Sequence, residues 1–282
     1  MNYALHCTGG INIKLSAIGI GHMGMTVLDC LVGGGLADPS QVLVYDIKAE
    51  NISTAQTKGY NIASNAIQAY SNCEYLLLGV LPQNCEELLA ELSGAAHKPS
   101  PVVISIVSGV GSAKIQRYLN PDTQVILVVP NLGLALGCGA TALSCSKNTP
   151  PALFDRIVGI FSSYGEASVV DEPKLKDIIA ANGCAPGYAF YFIHAIASAV
   201  ADHGIDYEQA ALMTAKAFEG AATMVLAKTH SPQELCQKVC SPGGLTVQAI
   251  QHFDSIGLTQ AIAEAVGKSI QRGYDLAKEE AL

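Results

Sequence analysis

Short apolar segments alternate with amphipathic stretches from Lys14 to about Gly165. The apolar segments are rich in Val, Ile and Leu, and several are continuously apolar, as is typical of strands covered on both faces. The alternation predicts a βαβ fold with a parallel sheet. The predicted strands are residues 15–19, 41–46, 75–80, 102–107, 124–128, 141–146 and 167–170. The predicted helices between them are residues 23–36, 49–58, 85–92, 112–119 and 151–163.

The pattern changes after Asp171, where strand-like segments stop and helical periodicity fills the rest of the chain. We therefore divide the sequence into an extension over residues 1–13, an α/β domain over residues 14–170 and an all-helical domain over residues 171–282. The helices predicted in the last domain are residues 173–203, 207–228, 232–239, 244–256 and 259–281.

Residues 188–200, within the first of these helices, have no polar face. A helix that is apolar all round has to be buried, and a lone helical domain of this size offers little to bury it. Dimerisation through the helical domain meets that need, so we expect a homodimer or a larger homo-oligomer. The alternative is a monomer in which this helix runs through the middle of the bundle.

Composition narrows the possible functions. Half of the 282 residues are apolar and 14% are charged, which indicates a globular protein. The formal net charge is -8 and no Lys/Arg cluster stands out, so nucleic acid is not an expected partner. The longest apolar stretch, residues 187–205, contains His194, Asp202 and His203, which argues against a membrane span. The 9 cysteines are scattered, so we expect reduced thiols in a cytoplasmic protein and no metal site.

A glycine-rich motif, Gly19-Ile20-Gly21-His22-Met23-Gly24, joins the first predicted strand to the first predicted helix. In that context a GxGxxG sequence is typical of a dinucleotide site. Gly19 makes the tight turn, Gly21 removes a Cβ where the pyrophosphate approaches, and Gly24 lets helix and strand pack closely. The sequence therefore predicts a Rossmann dinucleotide-binding domain followed by an all-helical dimerisation domain, with all six residues of the motif in the cofactor site.

Asp46 ends the second predicted strand, about 20 residues after the motif. A carboxylate at this place hydrogen-bonds the adenosine ribose hydroxyls and repels a 2′-phosphate. We therefore expect NADH or NADPH as the cofactor, with a preference for NADH that Lys48 partly offsets. Asp46 is also placed to cap the following helix, which is compatible with that role.

Further cofactor contacts are expected where the other strands end, because the carboxyl ends of parallel strands share one edge of the sheet. The residues predicted there are Leu81, Pro82, Ser108 and Gly109. Asn131 follows Val129-Pro130 after another apolar strand, where it can orient a carboxamide or the substrate. An ordinary turn asparagine is the alternative.

Several segments, in order, resemble pyrroline-5-carboxylate reductase. They are the glycine-rich motif with its strand, Ser105-Ile106-Val107-Ser108-Gly109-Val110, Pro130-Asn131, Gly183-Cys184-Ala185-Pro186-Gly187-Tyr188-Ala189-Phe190 and Ser241-Pro242-Gly243-Gly244-Leu245-Thr246. The resemblance covers nearly the whole chain from Lys14, and Ser-Pro-Gly-Gly-x-Thr is its specific element. It implies a helical domain that interleaves with that of a second subunit. It also implies hydride transfer from NAD(P)H to the C=N carbon of 1-pyrroline-5-carboxylate, which gives L-proline in proline biosynthesis.

That reaction needs orientation more than acid–base chemistry, because the imine can arrive protonated. Backbone amides at the helix starts near Pro186 and Gly244 can bind the substrate carboxylate, although Pro242-Gly243-Gly244 also suits a plain interhelical turn. The predicted substrate-binding residues are Gly183, Pro186, Ser241, Gly243, Gly244 and Leu245. The residues predicted at the reacting atoms are Thr246, near the imine nitrogen, Asn131, and Cys184 as a small replacement for serine.

The sequence departs from the family at the expected site. It has Asn182-Gly183-Cys184-Ala185-Pro186 where the family usually has Ser-Gly-Ser-Gly/Ser-Pro, and Asn131-Leu132-Gly133 where the family has Asn-Thr-Pro. His194 also replaces a family acid, and we expect it to be hydrogen-bonded inside the helical interface, with a new site residue as the alternative. A reductase of another cyclic imine or of a hydroxy acid, and a non-catalytic nucleotide-binding homologue, remain alternative functions.

Overall fold

The computed structural model describes residues 13–71, 73–95 and 100–279. One compact unit runs as far as Gly183 and takes up the chain again from Ile270, and a second unit spans Cys184–Ser269. The predicted extension lies outside the described residues except for Ile13, and the predicted boundary at residue 171 stays a prediction.

The first unit is built on an eight-stranded sheet. Its strands are β1 (Leu15–Ile18), β2 (Val42–Tyr45), β3 (Asn61–Ile62), β4 (Tyr75–Leu78), β5 (Val102–Ser105), β6 (Val125–Val129), β7 (Gly139–Cys145) and β8 (Gly165–Val169). They lie in the order β3-β2-β1-β4-β5-β6-β7-β8. The prediction of a parallel sheet is wrong for one pair, because β6 and β7 are antiparallel. The connection between these two strands, residues 130–138, is too short for the dozen or so residues that a parallel crossover needs.

Helices cover both faces of this sheet, with one apolar cluster on each face. The helices are α1 (His22–Gly33), α2 (Ala49–Thr57), α3 (Ala66–Ser71), α4 (Pro82–Ser93), α5 (Ser112–Tyr118), α6 (Pro151–Ser162) and α7 (Leu175–Ile178). Alternate strand residues serve the two clusters: Leu77 and Ile104 face one, and Leu76 and Val103 face the other. The predicted Rossmann-type α/β class is therefore confirmed. The sequence pattern predicts neither β3 nor α3.

The second unit is helical. Its helices are α8 (Ala185–Ala201), α9 (Tyr207–Leu226), α10 (Pro232–Val239), α11 (Leu245–Ser255) and the greater part of α12 (Leu258–Glu279). The single helix predicted over residues 173–203 is wrong, since α7 and α8 are separated by residues 179–184. The end predicted for the last helix, Ala281, lies outside the described residues.

The end of α12 returns to the first unit and is tied to α7. The Tyr274 hydroxyl donates to Asp177 at 2.8 Å, and Lys174 Nζ donates to the same carboxylate at 3.0 Å. These two hydrogen bonds hold the pKa of Asp177 below its usual value, the bond from Lys174 being the larger cause.

The helices α8 and α9 carry large apolar side chains that the described residues leave exposed. Tyr191 and Leu212 are each 71% exposed, and Phe190 and Met213 are exposed as well. Ala197 is the buried residue of α8, so the alternative in which this helix fills the middle of a monomeric bundle is wrong. His194 Nδ1 lies 2.9 Å from the Tyr207 hydroxyl, which supplies the hydrogen bond expected for it. Across the described ranges, no helix has the combination of length and apolarity that crossing a bilayer requires.

Candidate active site

Three strand ends meet at one edge of the sheet and hold the glycine-rich loop. Because β1 lies between β2 and β4 in parallel, the residues after these strands are neighbours. Gly19 N donates to Tyr45 O at 3.0 Å, and Gly79 N donates to Ile18 O at 2.9 Å. The loop that follows β1 is thus fixed from both sides.

The carbonyl of Gly19 is enclosed by two other glycines. A Cβ on Gly24 would lie 2.3 Å from the Gly19 oxygen, and a Cβ on Gly79 would lie 2.4 Å from the same atom. Gly19 itself has φ +82°, which favours glycine. The packing expected of Gly24 is therefore present. The sequence pattern places Gly79 inside the strand predicted over residues 75–80 and gives it no role, whereas β4 ends at Leu78 and Gly79 lies in the loop that follows.

Gly21 faces open space, since no heavy atom lies within 4 Å of a Cβ built on it. It precedes α1, whose start has neither a side-chain cap nor an acidic residue in its first turn. The first amides of α1, from His22 and Met23 onward, therefore keep the partial positive charge that attracts phosphate. Ile20 differs from its neighbours: its side chain is buried in the core, and its N–H is already bound.

Asp46 provides the acceptor for that N–H. Its Oδ2 accepts from Ile20 N at 2.8 Å, and its Oδ1 accepts from Lys48 N at 2.8 Å. Asp46 does not cap the next helix, because the N-cap of α2 is Lys48. A carboxylate has about four lone-pair sites, so acceptor capacity remains. Ile47 beside it is 80% exposed, and Leu81, after β4, is 60% exposed.

Leu81 and Pro82 form the start of α4, with Leu81 as the N-cap. Ser108 and Gly109 are exposed where β5 has ended. These two residues line a cavity of about 1170 Å³ together with Met23 and Pro130. The predicted cofactor residues of the first unit therefore gather along the carboxyl edge of the sheet.

Asn131 lies at the same edge, but backbone groups occupy its carboxamide. Oδ1 accepts from Gly133 N and from Ala140 N, both at 3.1 Å, and Nδ2 donates to the carbonyl of Asn182 at 3.1 Å. The bond from Gly133, two residues further on, is that of a turn asparagine, while the bonds with Ala140 and Asn182 join distant segments. The predicted contact with substrate stays a prediction.

The Ser-Pro-Gly-Gly segment of the second unit is a tight turn that leads into α11. Gly244 N donates to Ser241 O at 2.9 Å, and Gly243 has φ +72°. Pro followed by a residue of positive φ is typical of a type II turn. Gly244 is the N-cap of α11 and gives no side-chain cap, so the amides of Leu245 and Thr246 begin the helix without one.

A second helix start in this unit belongs to α8. Cys184 is its N-cap, without a side-chain cap, and Pro186 lies in its first turn. Gly183 belongs to the first unit, where a Cβ on it would lie 2.9 Å from Ile179 Cγ1. The predicted site residues therefore form two sets, one in each unit.

The sequence pattern also gives no role to Glu172, which binds the start of the helix that follows the Ser108–Gly109 loop. Glu172 Oε1 accepts from Ser112 N at 2.8 Å, and its Oε2 accepts from Ser112 Oγ at 2.6 Å. The carboxylate thereby caps the start of α5, which follows that loop. A partner 60 residues away along the chain leaves no local signal.

Two family models match this chain, one in its α/β part and one in its helical part. The family model for pyrroline-5-carboxylate reductase dimerisation matches residues 172–276, and a model described as NADP oxidoreductase, coenzyme F420-dependent, matches residues 14–109. The pyrroline-5-carboxylate reductase of Escherichia coli is 30% identical, and the alignment covers 94% of this chain and 98% of that protein.

Solved structures show the same fold over the same extent. A pyrroline-5-carboxylate reductase from Coxiella burnetii superimposes with a TM-score of 0.85 at 26% identity, covering 94% of this chain and 98% of that one. The Plasmodium falciparum enzyme with NADP bound gives a TM-score of 0.83 at 21% identity, covering 95% and 99%. The resemblance seen in the sequence is confirmed: this chain belongs to the pyrroline-5-carboxylate reductase family.

Proposed function

We propose that this protein is an NAD(P)H-dependent pyrroline-5-carboxylate reductase that converts 1-pyrroline-5-carboxylate into L-proline in proline biosynthesis. The observation that carries the proposal is the match to the Escherichia coli reductase along 94% of the chain. The geometry within each unit fits this reaction, since one unit offers a nucleotide loop and the other offers two uncapped helix starts.

The residues at the sheet edge fit a dinucleotide. The open face of Gly21 leaves room for a pyrophosphate against the first amides of α1. Asp46 would hold the adenosine ribose, with Ile47 and Leu81 as apolar contacts for the adenine. Ser108 and Gly109, in the cavity, would border the nicotinamide end. Bound there, NAD(P)H supplies the hydride.

The preference for NADH rests on Asp46. Its carboxylate would accept from the 2′-hydroxyl of NADH and repel the 2′-phosphate of NADPH. Lys48 is exposed and lies two residues after Asp46, so its positive charge weakens that repulsion. We therefore expect both nucleotides to be used, with NADH favoured.

The start of α11 is the proposed site for the substrate carboxylate. The positive φ of Gly243 turns the chain so that the amides of Leu245 and Thr246 open the helix without a cap, and such amides suit an anion. Thr246 would place its hydroxyl at the imine nitrogen. Pro186 at the start of α8 would border the ring, and Cys184 would take little space beside it.

Asn131 would act through the backbone rather than on the substrate, because its carboxamide is bound to Gly133, Ala140 and Asn182. The exposed apolar faces of α8 and α9 would be covered in a homodimer or larger assembly, as the name of the matching dimerisation model indicates for its family. We propose a cytoplasmic location.

The test is a panel of substrates for the purified protein: 1-pyrroline-5-carboxylate, a six-membered cyclic imino acid and a 2-oxo acid, each with NADH and NADPH. We expect L-proline from the first, identified by chiral chromatography. If only the six-membered imino acid or only the 2-oxo acid is reduced, the protein is a reductase of that class of substrate. Nucleotide binding without any turnover would indicate the non-catalytic alternative.

A further inference from the structure

Two side-chain carboxamides continue the β6–β7 ladder beyond the end of β6. After Val129 the chain has Pro130, which lacks an N–H and cannot extend the pairing. Asn131 Oδ1 accepts from Ala140 N at 3.1 Å. Asn182 Nδ2 donates to Val129 O at 2.7 Å and to Ala140 O at 3.2 Å. Side-chain amides thus take the place of the missing backbone partners.

The two asparagines are also joined to each other, because Asn131 Nδ2 donates to Asn182 O at 3.1 Å. Asn182 is only 6% exposed. One compact pair of side chains therefore fixes three segments of the first unit: the end of β6, the start of β7 and the residues just before Gly183.

This arrangement has a cost. Asn182 Oδ1 is buried and has no hydrogen-bond donor among the residues that the structure describes. A buried acceptor without a donor is destabilising, and a smaller or apolar residue would avoid that loss. The two bonds that Nδ2 makes are therefore the reason to have an asparagine here.

We propose that Asn182 is a positioning residue of the reductase. It holds Val129 and Pro130, which line the cavity beside Ser108 and Gly109, and it fixes the backbone that leads into Gly183. The role rests on the proposed function, in which these loops border the nicotinamide and the substrate. Hydride transfer is sensitive to displacements of about 1 Å, so loosening this wall lowers turnover more than it lowers nucleotide binding.

The test compares Asn182→Ala with wild type and with a matched control, Asn61→Ala. Asn61 Nδ2 also donates to two carbonyls, Ser40 O at 2.8 Å and Val42 O at 3.0 Å, but at the amino end of β2. For Asn182→Ala we expect kcat/KM for 1-pyrroline-5-carboxylate to fall at least about tenfold and the Kd for NADH to stay within about twofold. The control keeps wild-type kinetics.

A second readout does not depend on activity. Amide hydrogen exchange at Ala140 and Gly133 should accelerate in Asn182→Ala, because the carbonyls of Val129 and Ala140 lose their donor and these segments open more often, although Asn131 still accepts from both amides.

Wild-type kinetics and unchanged exchange in Asn182→Ala would overturn the positioning role. An inactive wild type would refute the proposed function instead, and the exchange at Ala140 and Gly133 would then decide the role of Asn182 in holding these loops. If Asn182→Ala does not fold, Asn182→Ser, which keeps one donor, is measured in the same two ways.

Discussion

Replacing Gly21 by alanine separates the nucleotide-binding role of the glycine-rich loop from its packing role. Gly21 has φ -58° and ψ -174°, which alanine can adopt, and its Cβ would meet no heavy atom within 4 Å. Such a change leaves the free energy of unfolding unchanged or raises it by about 0.4–1 kcal/mol. The new methyl group would, however, stand where the pyrophosphate must approach.

The loss of binding can be estimated from the contacts that would be displaced. Hydrogen bonds to a charged group contribute about 1.5–3 kcal/mol each. Losing two amide–phosphate bonds would cost about 3 kcal/mol or more, which corresponds to roughly a 100-fold increase in the Kd for NADH.

Gly24→Ala is the matched variant, and we expect it to lower the stability that Gly21→Ala leaves unchanged. Its Cβ would lie 2.3 Å from the Gly19 oxygen, so α1 and β1 would have to separate by about 1 Å. Overpacking costs about 1–3 kcal/mol, against about 1 kcal/mol gained from helix propensity. We therefore expect a lower Tm for Gly24→Ala and an unchanged or slightly higher Tm for Gly21→Ala.

Thermal unfolding by circular dichroism and titration of NADH fluorescence measure the two effects separately. Wild-type NADH affinity in Gly21→Ala would refute the assignment of this loop to the pyrophosphate. Wild-type Tm in Gly24→Ala would refute the packing argument.

Three further substitutions test the cofactor preference, the substrate site and the contact between Glu172 and Ser112. Asp46→Ala should lower the NADH/NADPH ratio of kcat/KM by about tenfold, since a carboxylate no longer repels the 2′-phosphate; an unchanged ratio would remove Asp46 from the cofactor site. Thr246→Val should lower kcat/KM for the imine by about tenfold or more while NADH affinity is kept. Full activity in this variant would show that the Thr246 hydroxyl does not contact the imine nitrogen. Glu172→Ala removes both bonds to Ser112 and should lower the free energy of unfolding by about 1–3 kcal/mol; an unchanged Tm would show that these bonds contribute nothing.

The geometry of the glycine-rich loop was predictable because its signals are local. A strand, GxGxxG and a helix occur in one short segment, and an acidic residue ends the next strand. Gly79 also packs against the Gly19 carbonyl. This contact exists because β4 lies beside β1, and the sequence pattern does not show which strands are neighbours.

Other features were not predicted, for different reasons. The break between α7 and α8 had a local signal, because Asn182-Gly183 is typical of a helix end and Pro186 of a helix start, and the single helix predicted over residues 173–203 passed over it. What no local pattern shows is that the Asn182 side chain donates to Val129 in β6 and to Ala140 in β7. The direction of β7 follows from the short connection after β6, and β3 has only two residues, too few for a periodic pattern. Asn131 was noticed as a polar residue after a strand, but its partners lie in segments that only the fold brings together.

The proposed reaction is measured as the loss of reduced nicotinamide absorbance on adding 1-pyrroline-5-carboxylate, together with the amount of L-proline formed. We expect turnover with both nucleotides, NADH being favoured, and one L-proline for each nucleotide oxidised. Tight NADH binding with no oxidation and no L-proline would refute the proposal that this protein is a pyrroline-5-carboxylate reductase.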